Sequence, residues 1–202
     1  MEITNPPRDA VSGRALALLS IAEVVPRRDA GALLLDVRGA VEFAACHVRG
    51  AVNVGLQGRF EECAGAVLPL DRDVVLVGDR QTGVEATARL GDAGYDRVVG
   101  QLDDLASVLT AGPGLIEASS RLSIEQLAEL QRLEPALQLV DVRTPAETAR
   151  GTLPGAREIP LAILTKLPDA LDRSAPVLVY SGCGYRSMVA ASVLQAAGFG
   201  RS

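Results

Sequence analysis

The sequence has few of the residues on which metal sites and disulfide frameworks depend. It contains three cysteines, one histidine and no tryptophan among 202 residues. Three scattered cysteines do not make a disulfide framework, and no Cys-x-x-Cys or His-x-x-x-His spacing is present. We therefore predict no metal site, and we expect no cofactor.

Basic residues and long apolar runs are also scarce. The chain has 20 Lys and Arg against 25 Asp and Glu, which gives a net charge of -5. A nucleic-acid binder needs a basic face that this composition does not supply. No apolar run approaches the roughly 20 residues that cross a bilayer, and residues 1–13 lack the apolar core of a signal peptide. We predict a cytoplasmic protein without nucleic-acid or membrane partners, whose residues 1–13 form a flexible arm.

An internal repeat organises the rest of the chain. Residues 34–38 (LLDVR) recur as residues 139–143 (LVDVR), and Glu42 recurs as Glu147 at the same offset. Further matches pair residues 50–51 with 155–156, 75–77 with 177–179 and 93–95 with 197–199. A repeat of this length predicts two copies of one domain, and the first copy is shorter in the loop after residues 75–77.

Short apolar runs alternate with helix-period segments inside each copy, a pattern typical of β-α units wound into a mostly parallel sheet. The predicted strands lie at 33–37, 51–54, 74–77, 97–100, 137–142, 156–159 and 176–180. The predicted helices lie at 83–93, 123–132 and 187–197, and Ser123 is the predicted N-cap of the second. The sequence thus predicts an α/β fold in which each sheet is flanked by helices.

The predicted domains span residues 14–109 and 121–202, and a linker rich in Ala, Gly, Pro and Ser joins them at 110–120. Copy two has no counterpart of the strand at 97–100, so its C-terminal part is predicted to be truncated. A sheet that lacks a strand leaves backbone groups unpaired. We therefore expect a second domain that is less stable, or one that another segment completes.

Two motifs resemble those of the rhodanese family of sulfurtransferases. Residues 36–38 (DVR), with Glu42 and residues 47–54 (HVRGAVNV), resemble the family's leading motif, which copy two repeats from Asp141 onward. Residues 180–187 (YSGCGYRS) resemble the family's active loop. The resemblance implies two tandem sulfurtransferase domains and, as substrate, a small sulfur-containing anion or thiol. In the family a loop cysteine attacks sulfane sulfur, becomes a persulfide and passes the sulfur to an acceptor.

The active loop of copy two departs from the family pattern Cys-x-x-Gly-x-Arg-Ser. Aligning Gly184, Arg186 and Ser187 with that pattern places Ser181 at the nucleophile position. A serine cannot form a persulfide, and its hydroxyl is a poor nucleophile without an adjacent base. Cys183 lies two residues further along and is the alternative nucleophile. Arg186 is predicted to add charge at the site.

The remaining loop residues are predicted to bind an anion through their backbone amides at a helix N-terminus. These are Gly182, Gly184, Tyr185 and Ser187, with Asp141 and Arg143 in support. In copy one, residues 78–83 (GDRQTG) hold neither cysteine nor serine, and Asp79 would repel an anionic donor. Copy one is therefore predicted to be inactive. We expect His47 to make structural hydrogen bonds.

The arrangement of the copies further resembles the rhodanese pair that follows a metallo-β-lactamase-type domain in persulfide dioxygenase fusions. Residues 58–60 and 95–98 carry this likeness, and it implies such a dioxygenase domain as a partner. Two functions remain open: a binding or regulatory pseudo-enzyme, or an active sulfurtransferase that uses Cys183. A phosphatase or arsenate reductase is disfavoured, because only two residues separate Cys183 from Arg186 and those enzymes need five.

Overall fold

The chain folds as two consecutive α/β units. The structure is a computed structural model, and it describes residues 16–166 and 170–200. The arm predicted at residues 1–13 lies outside these ranges. No helix within them is long and apolar enough to span a membrane.

The first unit is built on a four-stranded parallel sheet in the order β3-β1-β4-β5. Its elements are α1 (Ile21–Asp29), β1 (Leu33–Asp36), α2 (Ala40–Ala45), β2 (His47–Val48), β3 (Ala51–Asn53), α3 (Phe60–Val67), β4 (Val74–Val77), α4 (Arg80–Asp92), β5 (Val98–Leu102) and α5 (Leu105–Ala111). All four residues of β4 are buried, since helices cover both faces of the sheet and neighbours flank the strand.

The second unit has a three-stranded parallel sheet in the order β8-β7-β9. Its elements are α6 (Ile124–Leu133), β7 (Gln138–Asp141), α7 (Pro145–Thr148), β8 (Arg157–Glu158), α8 (Leu161–Leu164), β9 (Val177–Tyr180) and α9 (Tyr185–Ala196). Within the described residues no strand pairs with the edge of β9 that faces away from β7. The prediction that copy two lacks the counterpart of β5 is confirmed for this part of the chain.

The segment between the copies lies against the first unit. It holds the end of α5, a 3-10 turn at Pro113–Leu115 and β6 (Ile116–Glu117), which pairs antiparallel with β2. The backbone N–H of Ser119 also donates to the carbonyl of Ala44 at 2.9 Å. Residues 110–120 are thus ordered, whereas the boundaries at 14–109, 110–120 and 121–202 stay predictions.

Two helices begin earlier than the sequence predicts. α4 begins at Arg80 and not at residue 83, because the carboxylate of Asp79 caps it by accepting from the Thr82 N–H at 2.8 Å. α9 begins at Tyr185 and not at residue 187, directly after Gly184 in the left-handed conformation. The predicted cap of α6 is confirmed, because Ser123 and Gln126 form a capping box.

α9 joins the two units. It belongs to the second unit by sequence, yet it packs on β3 and α2 of the first. Ser192 on α9 is fully buried, and its hydroxyl oxygen accepts from the backbone N–H of Asn53 at 2.9 Å. One hydrophobic core contains residues of both units, among them Leu76 and Leu194. The helix therefore covers the free edge of the first sheet.

Candidate functional site

The candidate site is the loop of residues 181–187, which connects the end of β9 to the start of α9. Parallel strands place the loops at their carboxyl ends on one side of the sheet, and a helix N-terminus attracts anions. Gly184 has φ of 82°, a conformation that disfavours residues with a Cβ atom. This residue turns the chain from the loop into α9.

Ser181 lies inside a small hydrogen-bonded ring with Ser187. The oxygen of its hydroxyl accepts from the backbone N–H of Ser187 at 3.2 Å, and the hydroxyl donates to Oγ of Ser187 at 3.4 Å. The hydroxyl of Ser187 in turn donates to the carbonyl of Gly184 at 3.0 Å. The structure thus directs the Ser181 side chain toward the N-terminus of α9.

Most of the loop amides have no acceptor. Within the described residues, the backbone N–H groups of residues 182–186 make no hydrogen bond to another protein group. Consecutive free amides at the N-terminus of a helix form a concave site for an anion, because the helix dipole adds positive potential there. This part of the loop has the chemistry expected of an anion cradle.

Cys183 is exposed, whereas the other cysteine near the site is buried. Cys63 on α3 lies within the core that the two units share. Burial raises the pKa of the Cys63 thiol to about 11. At neutral pH Cys63 is a thiol and hence a poor nucleophile, so Cys183 is the accessible cysteine of the loop.

Arg186 is bound by a carboxylate that sequence reasoning did not assign to the site. Its side chain is buried, and its two terminal nitrogens donate to the two carboxylate oxygens of Glu147, each at 2.6 Å. The hydrogen bond from Arg186, with further bonds from Thr144, holds the pKa of Glu147 far below its usual range. The charge predicted to attract an anion at Arg186 is therefore already balanced.

Asp141 and Arg143 form a second ion pair at the end of β7. Nε and Nη2 of Arg143 donate to Asp141 at 2.6–3.0 Å, and Nη2 also donates to the Gly151 carbonyl. The guanidinium lies 5.8 Å from the ring centre of Tyr180, the residue before the loop. Asp141 is thus paired with an arginine of its own copy, and Asp36 pairs with Arg38 in the same way.

Tyr185 anchors the loop to the first unit. Its hydroxyl donates to the carbonyl of Gly55 at 2.6 Å. A Cβ atom at Gly58 would lie only 2.7 Å from the Tyr185 ring, so this glycine makes room for the side chain. Tyr185 thus contributes its backbone amide to the cradle, while its side chain binds copy one. Sequence reasoning missed this contact, since nothing in the repeat links residues 55–58 to residue 185.

The equivalent loop of copy one is filled by its own side chains. The Asp79 carboxylate accepts from the backbone N–H of Thr82, and this hydrogen bond lowers the pKa of Asp79. The side-chain amide of Gln101 on β5 donates to the carbonyls of Gly78 and Asp79. A carboxylate occupies the helix N-terminus that copy two leaves open, so no second anion fits there.

His47 packs against Phe43 of α2. Its Nδ1 is 2.9 Å from the carbonyl of Phe43, and its ring stacks on the Phe43 ring at 3.8 Å between centres. Burial lowers the pKa of His47, so the ring is neutral at physiological pH. These contacts agree with the structural hydrogen bonds that the sequence predicts for this residue.

The sequence is similar to known proteins over most of its length. The Rhodanese-like domain family matches residues 20–104 and 123–201. A sulfurtransferase of Allochromatium vinosum is 36% identical over 63 residues, which are 31% of this chain and 59% of that protein. The chain thus spans less than two thirds of this relative's length.

The chain also resembles solved structures, with low sequence identity. A thiosulfate sulfurtransferase of Pseudomonas aeruginosa is 24% identical over 89% of this chain and 41% of its own, with a TM-score of 0.40. A 3-mercaptopyruvate sulfotransferase of Escherichia coli is 17% identical over 90% of this chain and 93% of its own, with a TM-score of 0.43. The family matches cover most of the sequence, one in each copy, and the chain therefore belongs to the rhodanese-like family as a tandem pair of its domains.

Proposed function

We propose that copy two binds a small sulfur-containing anion in the 181–187 loop without forming a persulfide at residue 181. The observation that carries this proposal is the run of free amides at residues 182–186 before α9. An anion such as thiosulfate offers oxygens to several of these amides at once. The protein is then a binding or regulatory member of sulfane-sulfur metabolism, that is, a pseudo-enzyme.

The chemistry of Ser181 supports the loss of catalysis. Its hydroxyl would need a general base to become a nucleophile, and the only histidine, His47, is buried in copy one against Phe43. The hydroxyl is also engaged with Ser187. An alkoxide that attacked sulfur would give no persulfide, because an oxygen atom would stand where the family uses sulfur.

A second candidate function rests on the exposure of Cys183. Its thiolate would attack the sulfane sulfur of thiosulfate, a new S–S bond would form, and sulfite would leave with the electrons of the broken bond. An acceptor thiolate or cyanide would then take the outer sulfur and restore the Cys183 thiolate. This candidate retains the established chemistry of the family at a position two residues further along the loop.

Mass spectrometry of the intact protein separates the two candidates. We expect incubation with thiosulfate to add no sulfur to the parent protein, and Ser181→Cys to gain one sulfur atom on residue 181. A sulfur adduct on Cys183, which is lost in Cys183→Ala, would show that the pseudo-enzyme proposal is wrong. Cys63→Ala is the matched control, since that thiol is buried and protonated.

Anion binding is tested separately from sulfur transfer. Isothermal titration with thiosulfate should show saturable binding to the parent protein. Gly182→Pro removes one of the free amides, and it should weaken binding by about 5- to 30-fold, because one charge-assisted hydrogen bond contributes roughly 1–2 kcal/mol. No measurable binding at millimolar thiosulfate would contradict the proposed cradle.

We further propose a metallo-β-lactamase-type persulfide dioxygenase domain as a partner in the cytoplasm. The support is the resemblance at residues 58–60 and 95–98 and the absence of a membrane-spanning helix within the described residues. Co-elution of this chain with such a domain in size-exclusion chromatography tests the proposal. Separate elution at micromolar concentrations would refute a stable complex.

A further inference from the structure

A groove lies along the free edge of β9. It has a volume of about 1260 Å³ and is bounded by α6, β9, residues 173–176 and the start of α9. Five apolar residues on and just before α6 line it, namely Leu122, Ile124, Leu127, Leu130 and Leu133. Three of them, Leu122, Ile124 and Leu133, are exposed to solvent. Exposed apolar side chains that cluster along one groove mark a candidate binding site.

In copy one, the position that corresponds to this groove is occupied by a strand. There β5 lies along the edge of β4 and pairs with it in parallel from Val98 to Leu102. All residues of β4 are buried as a result, whereas only Val177 of β9 is buried. The groove of copy two has the position and direction of an absent β5.

We propose that the β9 groove binds an extended apolar segment of another polypeptide, which adds a parallel strand to the second sheet. The unpaired edge of β9 supplies backbone donors and acceptors, and α6 supplies an apolar wall for alternate side chains of the segment. The chemistry of the occupant is that of residues 98–102 (VVGQL): β-branched and leucine side chains with a small residue in the centre.

A positive charge at one end of the groove indicates a further property of the segment that binds there. Arg121 lines the groove beside the active loop, and its Nη2 lies 3.7 Å from where a Cβ atom of Gly184 would be. Arg121 has no carboxylate partner in the ranges that the structure covers. In copy one, Asp103 directly follows β5 and pairs with Arg80 at the start of α4 at 2.9 Å. The segment that binds should therefore carry an acidic residue just after its apolar run.

The active loop lies at the same end of the groove, since Ser181, Cys183 and Gly184 line it too. A docked strand would reach the loop as β5 reaches residues 78–79, where the Gln101 amide holds two loop carbonyls. A docked partner would thus lie directly against the anion cradle. Docking itself depends only on the groove, so it is independent of the chemistry proposed for Ser181 or Cys183.

Fluorescence anisotropy with a labelled peptide tests the proposal. The probe is a synthetic peptide of residues 96–112, which contains β5, the acidic pair and α5. We expect saturable binding to the full chain. We also expect hydrogen–deuterium exchange to slow at the amides of β9 when the peptide is present.

Variants of the chain distinguish specific docking of the peptide from nonspecific binding. Ile124→Arg places a charge on the apolar wall and should weaken binding at least tenfold. Val84→Arg is the matched control, because Val84 is equally exposed but lies on α4 outside the groove. Arg121→Glu should weaken binding, and a peptide with Lys at positions 103 and 104, in place of the acidic pair, should restore it.

The proposal is overturned by any of four results. The first would be that the peptide does not bind saturably. The second would be that Ile124→Arg binds the peptide as tightly as Val84→Arg does. The third would be that the outer amides of β9 are already protected from hydrogen–deuterium exchange in the dilute free protein, which would mean that the chain's own residues fill the groove. The fourth would be that the protection of these amides rises with protein concentration alone, which would identify a second copy of the chain as the occupant.

Discussion

The hydroxyl of Ser192 connects the two units, and its removal is a direct test of how they are joined. It accepts the backbone N–H of Asn53 at 2.9 Å and donates to the carbonyl of Val189 at 2.8 Å. Ser192 is fully buried and Asn53 nearly so, so no water can replace the lost acceptor in Ser192→Ala. An unsatisfied buried donor costs about 1–3 kcal/mol.

The expected loss of stability in Ser192→Ala is large enough to measure. A change of about 2 kcal/mol lowers the melting temperature of a domain of this size by about 4–8 °C. We expect this shift in thermal unfolding followed by circular dichroism, with a matching fall in the free energy of unfolding in urea. The amide of Asn53 should also exchange faster with solvent in the variant.

Ser107→Ala is the matched control for this experiment. The Ser107 hydroxyl also donates to the carbonyl three residues earlier, that of Asp104 at 2.8 Å, but at an exposed position. Water replaces that bond, so the control should change stability by less than about 0.5 kcal/mol. If Ser192→Ala lost no more stability than Ser107→Ala, the argument that α9 satisfies the edge of β3 would be refuted.

Three further outcomes are expected. Iodoacetamide at pH 8 should label Cys183 in the folded protein and Cys63 only after unfolding, because burial keeps the Cys63 pKa near 11; peptide mapping that finds equal labelling would contradict the buried position. Burial opposes ionisation of Asp141, but hydrogen bonds from Arg143, Tyr180 and Thr152 lower its pKa to about 2. Its folded pKa lies below the unfolded value near 3.8, so the stability that it contributes is present above pH 4 and is lost as the pH falls toward 2. Asp141→Asn should reduce the pH dependence of the free energy of unfolding, measured in urea, over that interval. An unchanged pH dependence would refute the low pKa assigned to Asp141. Tyr185→Phe removes the donor to the Gly55 carbonyl and should cost about 1 kcal/mol of stability; no loss in urea unfolding would mean that the bond is replaced by water.

The sequence predicts the sheets well, because their strands are short apolar runs that recur in both copies. The residues of β4 and β9 match the predicted runs to within one position. Short elements such as α7 and β2 are harder to predict, since four and two residues carry no periodicity. The starts of α4 and α9 depend on Asp79 and Gly184, whose backbone conformations tertiary contacts help to set.

The candidate site could be predicted only in part. The position of Ser181 follows from the motif, and the ion pair of Asp141 with Arg143 is local, since the two residues lie two positions apart. The bond from Arg186 to Glu147 joins residues 39 positions apart, and the bond from Tyr185 to Gly55 spans 130. Contacts at such separations depend on how elements pack, which a single sequence does not encode in a local pattern.

The position of α9 against β3 bears on how a pair of this kind can change over evolutionary time. A protease or a recombination event that cut the chain within residues 110–120 would leave one fragment with a bare sheet edge and another with an exposed helix face. Each fragment would then be prone to self-association. The first copy therefore has a structural role in covering α9, and this role does not depend on the chemistry of its own loop.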